Sequence, residues 1–277
     1  RGPLAVAPIL AGLGEAVDAE RGVATLPPFG PLLVMVARRS NASRTAERSG
    51  AMGPLMVPHW EVLTGNGRKV LEGLSAMPMS RHCFLAGGTG LALQIGHRVS
   101  HDLDLFTDAR HVTLTDRGRL LSELRRIGRF TIHQESDGVV LGELLRVKVS
   151  FVPHPYRLVT RPARLGRLRV AGPREIGAMK IAAILSRGAK RDFIDLAAIL
   201  ERSSTLRDLI TLAGRRYPGS HDLTLQVTRA LVDFGLADAQ TNPHMLWPGW
   251  TWDVVKERLE REARRLGNRL LSRRATG

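Results

Sequence analysis

Cysteine is almost missing from this sequence. Cys83 is the only one in 277 residues, so no internal disulfide can form, and a reducing compartment suits the chain. Also missing is any apolar run near the ~18 residues that a membrane-spanning helix needs. The stretch Leu4–Leu13 comes nearest to a signal-peptide core, but a lone Arg precedes it and no clear cleavage pattern follows. The expectation is a cytoplasmic protein that does not meet a membrane. Internal repeats and low-complexity tracts are absent as well.

Acidic residues are in short supply. Asp and Glu number 26 against 41 Lys and Arg, a formal net charge of +15. The imbalance is concentrated between Arg110 and Arg191, which hold 18 basic and 6 acidic residues, a surplus of 12. Such a field attracts polyanions, so RNA or DNA is the expected large partner. Arg-rich coding from a GC-rich genome is the bland alternative.

The length allows two units, each with its own core. Residues 1–51 read as a flexible extension, or as upstream sequence ahead of a start at Met52. They contain Pro27-Pro28, Pro31 and a polar stretch from Arg38 to Arg44, with no sustained periodicity. A chain starting at Met52 is expected to fold and keep its function. The next part, 52–160, reads as a small mixed sheet with helices. Helices are expected at Gly67–Ala76 and Asp116–Ile127, and strands at His82–Ala86, Arg129–Glu135 and Val139–Phe151, with a turn at Asp137-Gly138. A basic connector runs from Arg157 to Arg174, with a boundary near Arg161. Residues 161–277 then read as an all-helical unit, with helices at Glu175–Ser186, Lys190–Arg202, Leu206–Ala213, Leu223–Phe234 and Trp252–Leu271. The fold class is α+β.

The chemistry concentrates in Phe84–Phe106, FLAGGTGLALQIGHRVSHDLDLF. It reads as a strand, a Gly-Gly-Thr turn, a helix and a second strand. Asp102 and Asp104 are two apart on that strand and so share a face, while Leu103 and Leu105 point the other way into a core. Two adjacent carboxylates repel, and a divalent cation offsets this most readily. Gly87 and Gly88 let the backbone approach a ligand, and a helix opening at about Thr89–Gly90 offers free N–H groups to an anion. Ser100 shares the parity of the two aspartates and borders the same place. The spacing His97-x₃-His101 is that of a zinc pair, but no third ligand is near, and a loop role fits better. Further on, Lys180, Ile184 and Arg187 lie along one helical stripe, and Asp195 follows Asp192 on one face of the next helix.

A Gly-Gly-Thr turn followed by Asp-x-Asp resembles the nucleotidyltransferase signature of the DNA polymerase β superfamily. The longer string GGTGLALQIGHRVSHDLDLF is similar to its AbiEii/AbiGii toxin branch, and MKIAAILSRGAKRDFIDLAAIL, Met179–Leu200, resembles that branch's later Lys and Asp motif. Together these cover roughly Trp60 to Leu200. The resemblance implies a metal-dependent nucleotidyltransferase, the toxin of a toxin–antitoxin pair. It would move NMP from an NTP to an RNA acceptor, with the tRNA 3′ end leading. It implies Asp102 and Asp104 as ligands of Mg²⁺ or Mn²⁺, and Gly87, Gly88, Thr89, Ser100, Lys180 and Arg187 as nucleotide-binding residues. Asp102, Asp104, Lys180 and Asp192 are the implied catalytic set. A cognate antitoxin is the implied protein partner.

One departure stands out. Many enzymes of the superfamily carry a third carboxylate on the strand that here reads Arg146-Val147-Lys148-Val149-Ser150-Phe151, and its outward positions Arg146, Lys148 and Ser150 are not acidic. Either two carboxylates suffice, or Asp192 takes over part of the role, as base for the incoming hydroxyl. The ordinary structural alternative for Asp192 is helix capping, with Asp195 paired to Arg191. Competing functions are transfer to a small molecule or protein hydroxyl, and a nucleic-acid-binding module whose catalytic site has decayed.

Overall fold

The computed structural model describes residues 53–108, 114–136, 138–154, 156, 158–217 and 222–275. The N-terminal stretch 1–51, Met52, Asp137 and the two ends of the segment around Tyr156 lie outside them. Among the described residues no helix is long and apolar enough to cross a membrane.

Among the described residues seven strands form one mixed sheet: β1 Cys83–Leu85, β2 Leu103–Asp108, β3 Phe130–Ser136, β4 Val139–Leu144, β5 Val147–His154, β6 Ala163–Leu165 and β7 Leu168–Val170. Their order across the sheet is β3-β4-β5-β2-β1-β7-β6. β2 lies antiparallel to β1 and parallel to β5, and β1 lies parallel to β7. Period-2 alternation sorts the side chains between two cores. Leu85, Leu103, Leu105, Val149 and Phe151 enter one, beneath helices α1 (Gly65–Ala76) and α3 (Leu114–Ile127), which add Val70, Leu71, Leu74, Leu120 and Leu124. Phe84 and Phe106 enter the other, stacked with ring centroids 5.4 Å apart.

That second core is shared with the helical part: α4 Pro173–Arg187, α5 Lys190–Arg202, α6 Leu206–Arg216, α7 Leu223–Ala230, α8 Gly235–Asp238 and α9 Trp252–Ala275. Pro173 opens α4, where its missing N–H costs nothing. Gly188 closes it at φ +56°, and α5 begins two residues later. This hairpin brings Lys180 and Arg187 over the first two turns of α5.

Two strand expectations need correction. The stretch Val139–Phe151 is two strands, because Leu145 and Arg146 take φ of +51° and +65° and make a two-residue turn that sets Leu144 against Val147. Neither residue is a turn former. The conformation is held by Asn66 Nδ2, which donates to the Leu145 carbonyl at 3.0 Å. The Leu145 side chain packs on the first core, in the space that a side chain at Gly128 would need. The second correction concerns the basic connector, which contains the β6–β7 hairpin. Val170 pairs with Leu85 of β1, so the change from sheet to helix falls at Gly172 and not at Arg161. Three-residue strands with alternating arginines are too short for a periodic signal.

A buried polar cluster ties this junction together. Glu175, fully buried at the start of α4, pairs with Arg216 Nη1, and its other oxygen accepts from Val159 N, Thr160 N and Thr160 Oγ1. Arg216 Nη2 lies 3.2 Å from His154 Nε2. An arginine only donates, so Nε2 accepts and the proton of the neutral ring sits on Nδ1, which lies 3.1 Å from the Tyr156 carbonyl and 3.2 Å from Tyr156 N. Burial, and then the Arg216 charge, push the His154 pKa down from 6.5 to about 3. The unfolded chain therefore takes up a proton here that the folded chain refuses. Stability should fall as pH drops from about 6.5 toward 3, by up to ~1.4 kcal/mol per pH unit from this group. His154→Gln, which retains an acceptor for Arg216, should make the Tm-against-pH slope shallower over that window. An unchanged slope would show that the imidazole titrates freely in the folded state.

Candidate active site

The site begins at the end of β1. Gly87 opens helix α2 (Gly87–Ile95), two residues earlier than the sequence pattern indicates, with φ +63°. Ala86 N donates to the Asp104 carbonyl at 3.1 Å, which lays the turn against β2. A Cβ on residue 87 would lie 2.4 Å from Asp104 Oδ2. Only glycine permits both the backbone angle and the carboxylate beside it. Gly87→Ala should therefore leave the protein folded and displace Asp104. Activity should drop by at least ~10²-fold, the scale of losing a preorganised electrostatic contact, and full activity in a folded variant would contradict that geometry.

Asp104 pairs with Ser150 across β2 and β5, and Ser150 Oγ donates to Asp104 Oδ1 at 2.9 Å. A hydroxyl thus stands where the third carboxylate of the superfamily pattern is absent. Burial raises the pKa of Asp104, the neighbouring Asp102 raises it further, and the Ser150 bond only partly opposes this. Asp102 is more open and meets Arg191 Nη1 at 3.3 Å. Thr89 departs from expectation. Its hydroxyl is buried and bonded to the Asp102 carbonyl and to Ser100 Oγ, at 2.7 Å for the latter. Thr89 thus braces the aspartate strand from behind, while Ser100 borders the cleft.

Helices α4 and α5 supply the opposite wall. Lys180 Nζ donates to Asp192 at 2.8 Å and lies 2.6 Å from Asp195. Arg187 holds Asp192 through Nε at 2.8 Å and Nη2 at 3.1 Å. Burial alone would raise the pKa of Asp192, but Lys180 and Arg187 outweigh it and keep the carboxylate ionised. With both oxygens engaged and no exposed surface, Asp192 is built to orient two cations. Ile184, on the same stripe, is buried in the core.

Sequence reasoning missed the weight of Asp195, Arg98 and His97. Asp195 does not pair with Arg191. It receives Arg98 Nε at 2.7 Å, Arg98 Nη2 at 3.0 Å and His97 Nε2 at 2.8 Å, as well as Lys180. Against its burial, Arg98, Lys180 and His97 hold its pKa well below the ordinary value. His97 is buried and keeps a lowered pKa, chiefly from desolvation, and His101 is exposed. The zinc-like spacing therefore brings no pair together, and no group of three or more His, Cys, Asp or Glu placed to hold a metal ion occurs among the described residues. The available signal was Asp195 inside the otherwise apolar run Phe193–Leu200, because a carboxylate carried into a core requires partners.

Gly87, Gly88, Ser100, Asp102, Asp104, Lys180, Arg187 and Asp192 line one cleft, joined by Arg98 and Arg191. Its floor is split, with carboxylates on the sheet side and cations on the helix side. Asp102 and Asp104 suit a single hard cation. They offer oxygen only, the buried member is held uncomfortably as an anion, and the open cleft leaves room for phosphate oxygens and water to complete the shell. They do not suit two metals held by protein alone.

Three comparisons bear on identity. The family model described as nucleotidyl transferase AbiEii toxin, type IV TA system, matches residues 69–247. An Aquifex aeolicus relative, named uncharacterized protein aq_aa25, is 30% identical over 153 residues, covering 54% of this chain and 73% of that one. Among solved structures, JHP933 from Helicobacter pylori is similar at TM-score 0.43 and 16% identity, over 76% of this chain and 92% of the other. The nucleotidyltransferase toxin MenT4 from Mycobacterium tuberculosis is similar at TM-score 0.45 and 17% identity, over 72% and 82%.

Proposed function

This chain belongs to the nucleotidyl transferase AbiEii toxin family, and from that membership and the cleft we propose that it transfers NMP from an NTP to an RNA acceptor. The tRNA 3′ end is the leading acceptor, and a cognate antitoxin restrains the activity. One observation carries the reading: Asp102 and Asp104 face Lys180 and Arg187 across a single cleft whose edge is the Gly87-Gly88 turn. The basic surplus between Arg110 and Arg191 favours a polyanionic acceptor over a small molecule.

Asp102 and Asp104 would hold Mg²⁺ or Mn²⁺, which when bound lowers the charge of the triphosphate and aligns the reacting oxygens. The chain's own residues supply the remainder. The α2 N-terminus presents N–H groups to phosphate. Asp192 holds Lys180 and Arg187 at the cleft, where their charge opposes that developing on the transferring phosphoryl group. Ser150, by donating to Oδ1 of Asp104, leaves Oδ2 turned toward the glycine turn.

The test is incubation of the full chain with each labelled NTP, Mg²⁺ and total RNA. Label entering one RNA size class, with one NTP preferred, is the expected result. Label on protein or on a small molecule, and none on RNA, would move the acceptor elsewhere. No transfer with any NTP would favour the decayed nucleic-acid-binding module, the reading that Ser150 in place of a carboxylate supports.

A further inference from the structure

Arg98 is a cation with 3% of its surface exposed, yet it lines the cleft. Its backbone is clamped on both sides. Val99 N donates to the His244 carbonyl and Leu246 N to the His97 carbonyl, both at 2.9 Å, with Arg98 and Met245 bridged between them. Trp247 Nε1 adds a bond to the Ile95 carbonyl at 3.1 Å. The strap 244–247 therefore fixes the loop on which Arg98 sits, although it lies about 150 residues away in sequence.

The guanidinium is fixed as firmly. Nε and Nη2 fork onto Asp195, and Nη1 donates to the Val99 carbonyl at 3.0 Å. A guanidinium carries five N–H groups, so these bonds leave one on Nη1 and one on Nη2. Nη2 lies under the glycine turn, 2.1 Å from where a Cβ on residue 88 would stand. Residue 88 has ordinary helical backbone and needs no glycine for its own angles. What requires glycine there is the Arg98 side chain.

Charge gives an independent reason to expect a ligand. Arg98, Lys180 and Arg187 share Asp192 and Asp195. Asp102 and Asp104 also act on these cations from across the cleft, but they are the pair that a hard cation would engage. With that pair engaged, three cations stand against two carboxylates, a surplus that is costly in a largely desolvated cluster unless an anion meets it. It faces the cleft beside N–H groups that suit phosphate.

We propose that Arg98 binds the polyphosphate of the nucleotide directly, donating from Nη1 and Nη2 to the phosphate that lies on the Gly87-Gly88 turn, with Asp195 and Gly88 as its positioning residues. This rests on the nucleotidyltransferase reading, and it adds to that reading a role for Arg98, to which the resemblance assigned none.

The experiment is calorimetric titration of the full chain with inorganic tripolyphosphate and Mg²⁺, which makes the result independent of base preference. Arg98→Lys keeps the charge but loses the planar fork, and affinity should fall about tenfold or more. Gly88→Ala leaves the Arg98 residue unchanged but puts a methyl group 2.1 Å from Nη2, so that the guanidinium must shift, and it should produce a similar loss. The double variant should be little worse than either, since both remove the same contact. A purely structural Arg98 would lower the Tm of Arg98→Lys and leave tripolyphosphate affinity within about twofold of wild type, which overturns the proposal. If Arg98→Lys does not fold, Gly88→Ala decides alone, and unchanged affinity there overturns it. A wild-type chain that binds neither tripolyphosphate nor any NTP fails the nucleotidyltransferase reading itself. Binding by the wild type and both variants alike fails only the assignment of Arg98.

Discussion

Asp104→Asn is expected to abolish nucleotidyl transfer, by at least ~10²-fold, without loss of stability. The two halves of that result have one cause. Asp104 is desolvated and close to Asp102, so its ionised form is disfavoured in the folded chain. A neutral amide of the same shape relieves that repulsion, and its Oδ1 still accepts from Ser150. The Tm should stay level or rise, as is common when a strained functional site is neutralised. The charge that suits a hard cation is lost, so Mn²⁺ affinity measured on the full chain should fall together with turnover. Asp102→Asn should reduce activity in the same direction and release Arg191, whose 3.3 Å contact depends on that carboxylate. Unchanged turnover in a folded Asp102/Asp104 double variant would remove these residues from the reaction.

The largest stability effect is expected from Asp195→Ala. Asp195 has no exposed surface and accepts from Arg98, His97 and Lys180. Removing it leaves Arg98 buried with its main partner gone, and Lys180 with Asp192 alone. Breaking a buried ion network from one side costs about 3–5 kcal/mol, because the remaining charge stays desolvated. At ~2–4 °C per kcal/mol for a chain of this size, the Tm should drop by ~6–20 °C. Asp195→Asn keeps the shape and some acceptor capacity, so it should cost less. A Tm within about 2 °C of wild type for Asp195→Ala would mean that water replaces the carboxylate without penalty, and that the cluster is more open than its burial indicates.

The local parts of the site were legible because they are set by neighbours in the chain. The alternation Asp102-Leu103-Asp104-Leu105 decides which side chains meet the core, and the structure places Leu103 and Leu105 in one core and Asp104 at the cleft. The Lys180–Arg187 spacing likewise brought both cations to one wall. Reading failed where a conformation is held from a distance. The Leu145-Arg146 turn is imposed by Asn66 and core packing. The β6–β7 hairpin exists because Leu168 and Val170 have the first core to bury into and β1 to pair with. Thr89 looked like a phosphate ligand because its position in the turn is right, and only the location of the Asp102 carbonyl shows that its hydroxyl is already engaged.

Sequence alone determined the α+β class, the glycine turn, the two carboxylates on one strand face and the absence of a third at Ser150. Each of these is a matter of residue type and short-range periodicity. The tertiary structure decided who pairs with whom among the buried charges. Asp195 takes Arg98 from 97 residues away, Asp102 takes Arg191 from 89 away, and Lys180 is shared between two aspartates. Pairing of that kind depends on desolvation, since a charge removed from water accepts whichever opposite charge the fold brings within reach. Chain order contains no measure of that distance, so the partners emerged only when α4 and α5 closed over the sheet.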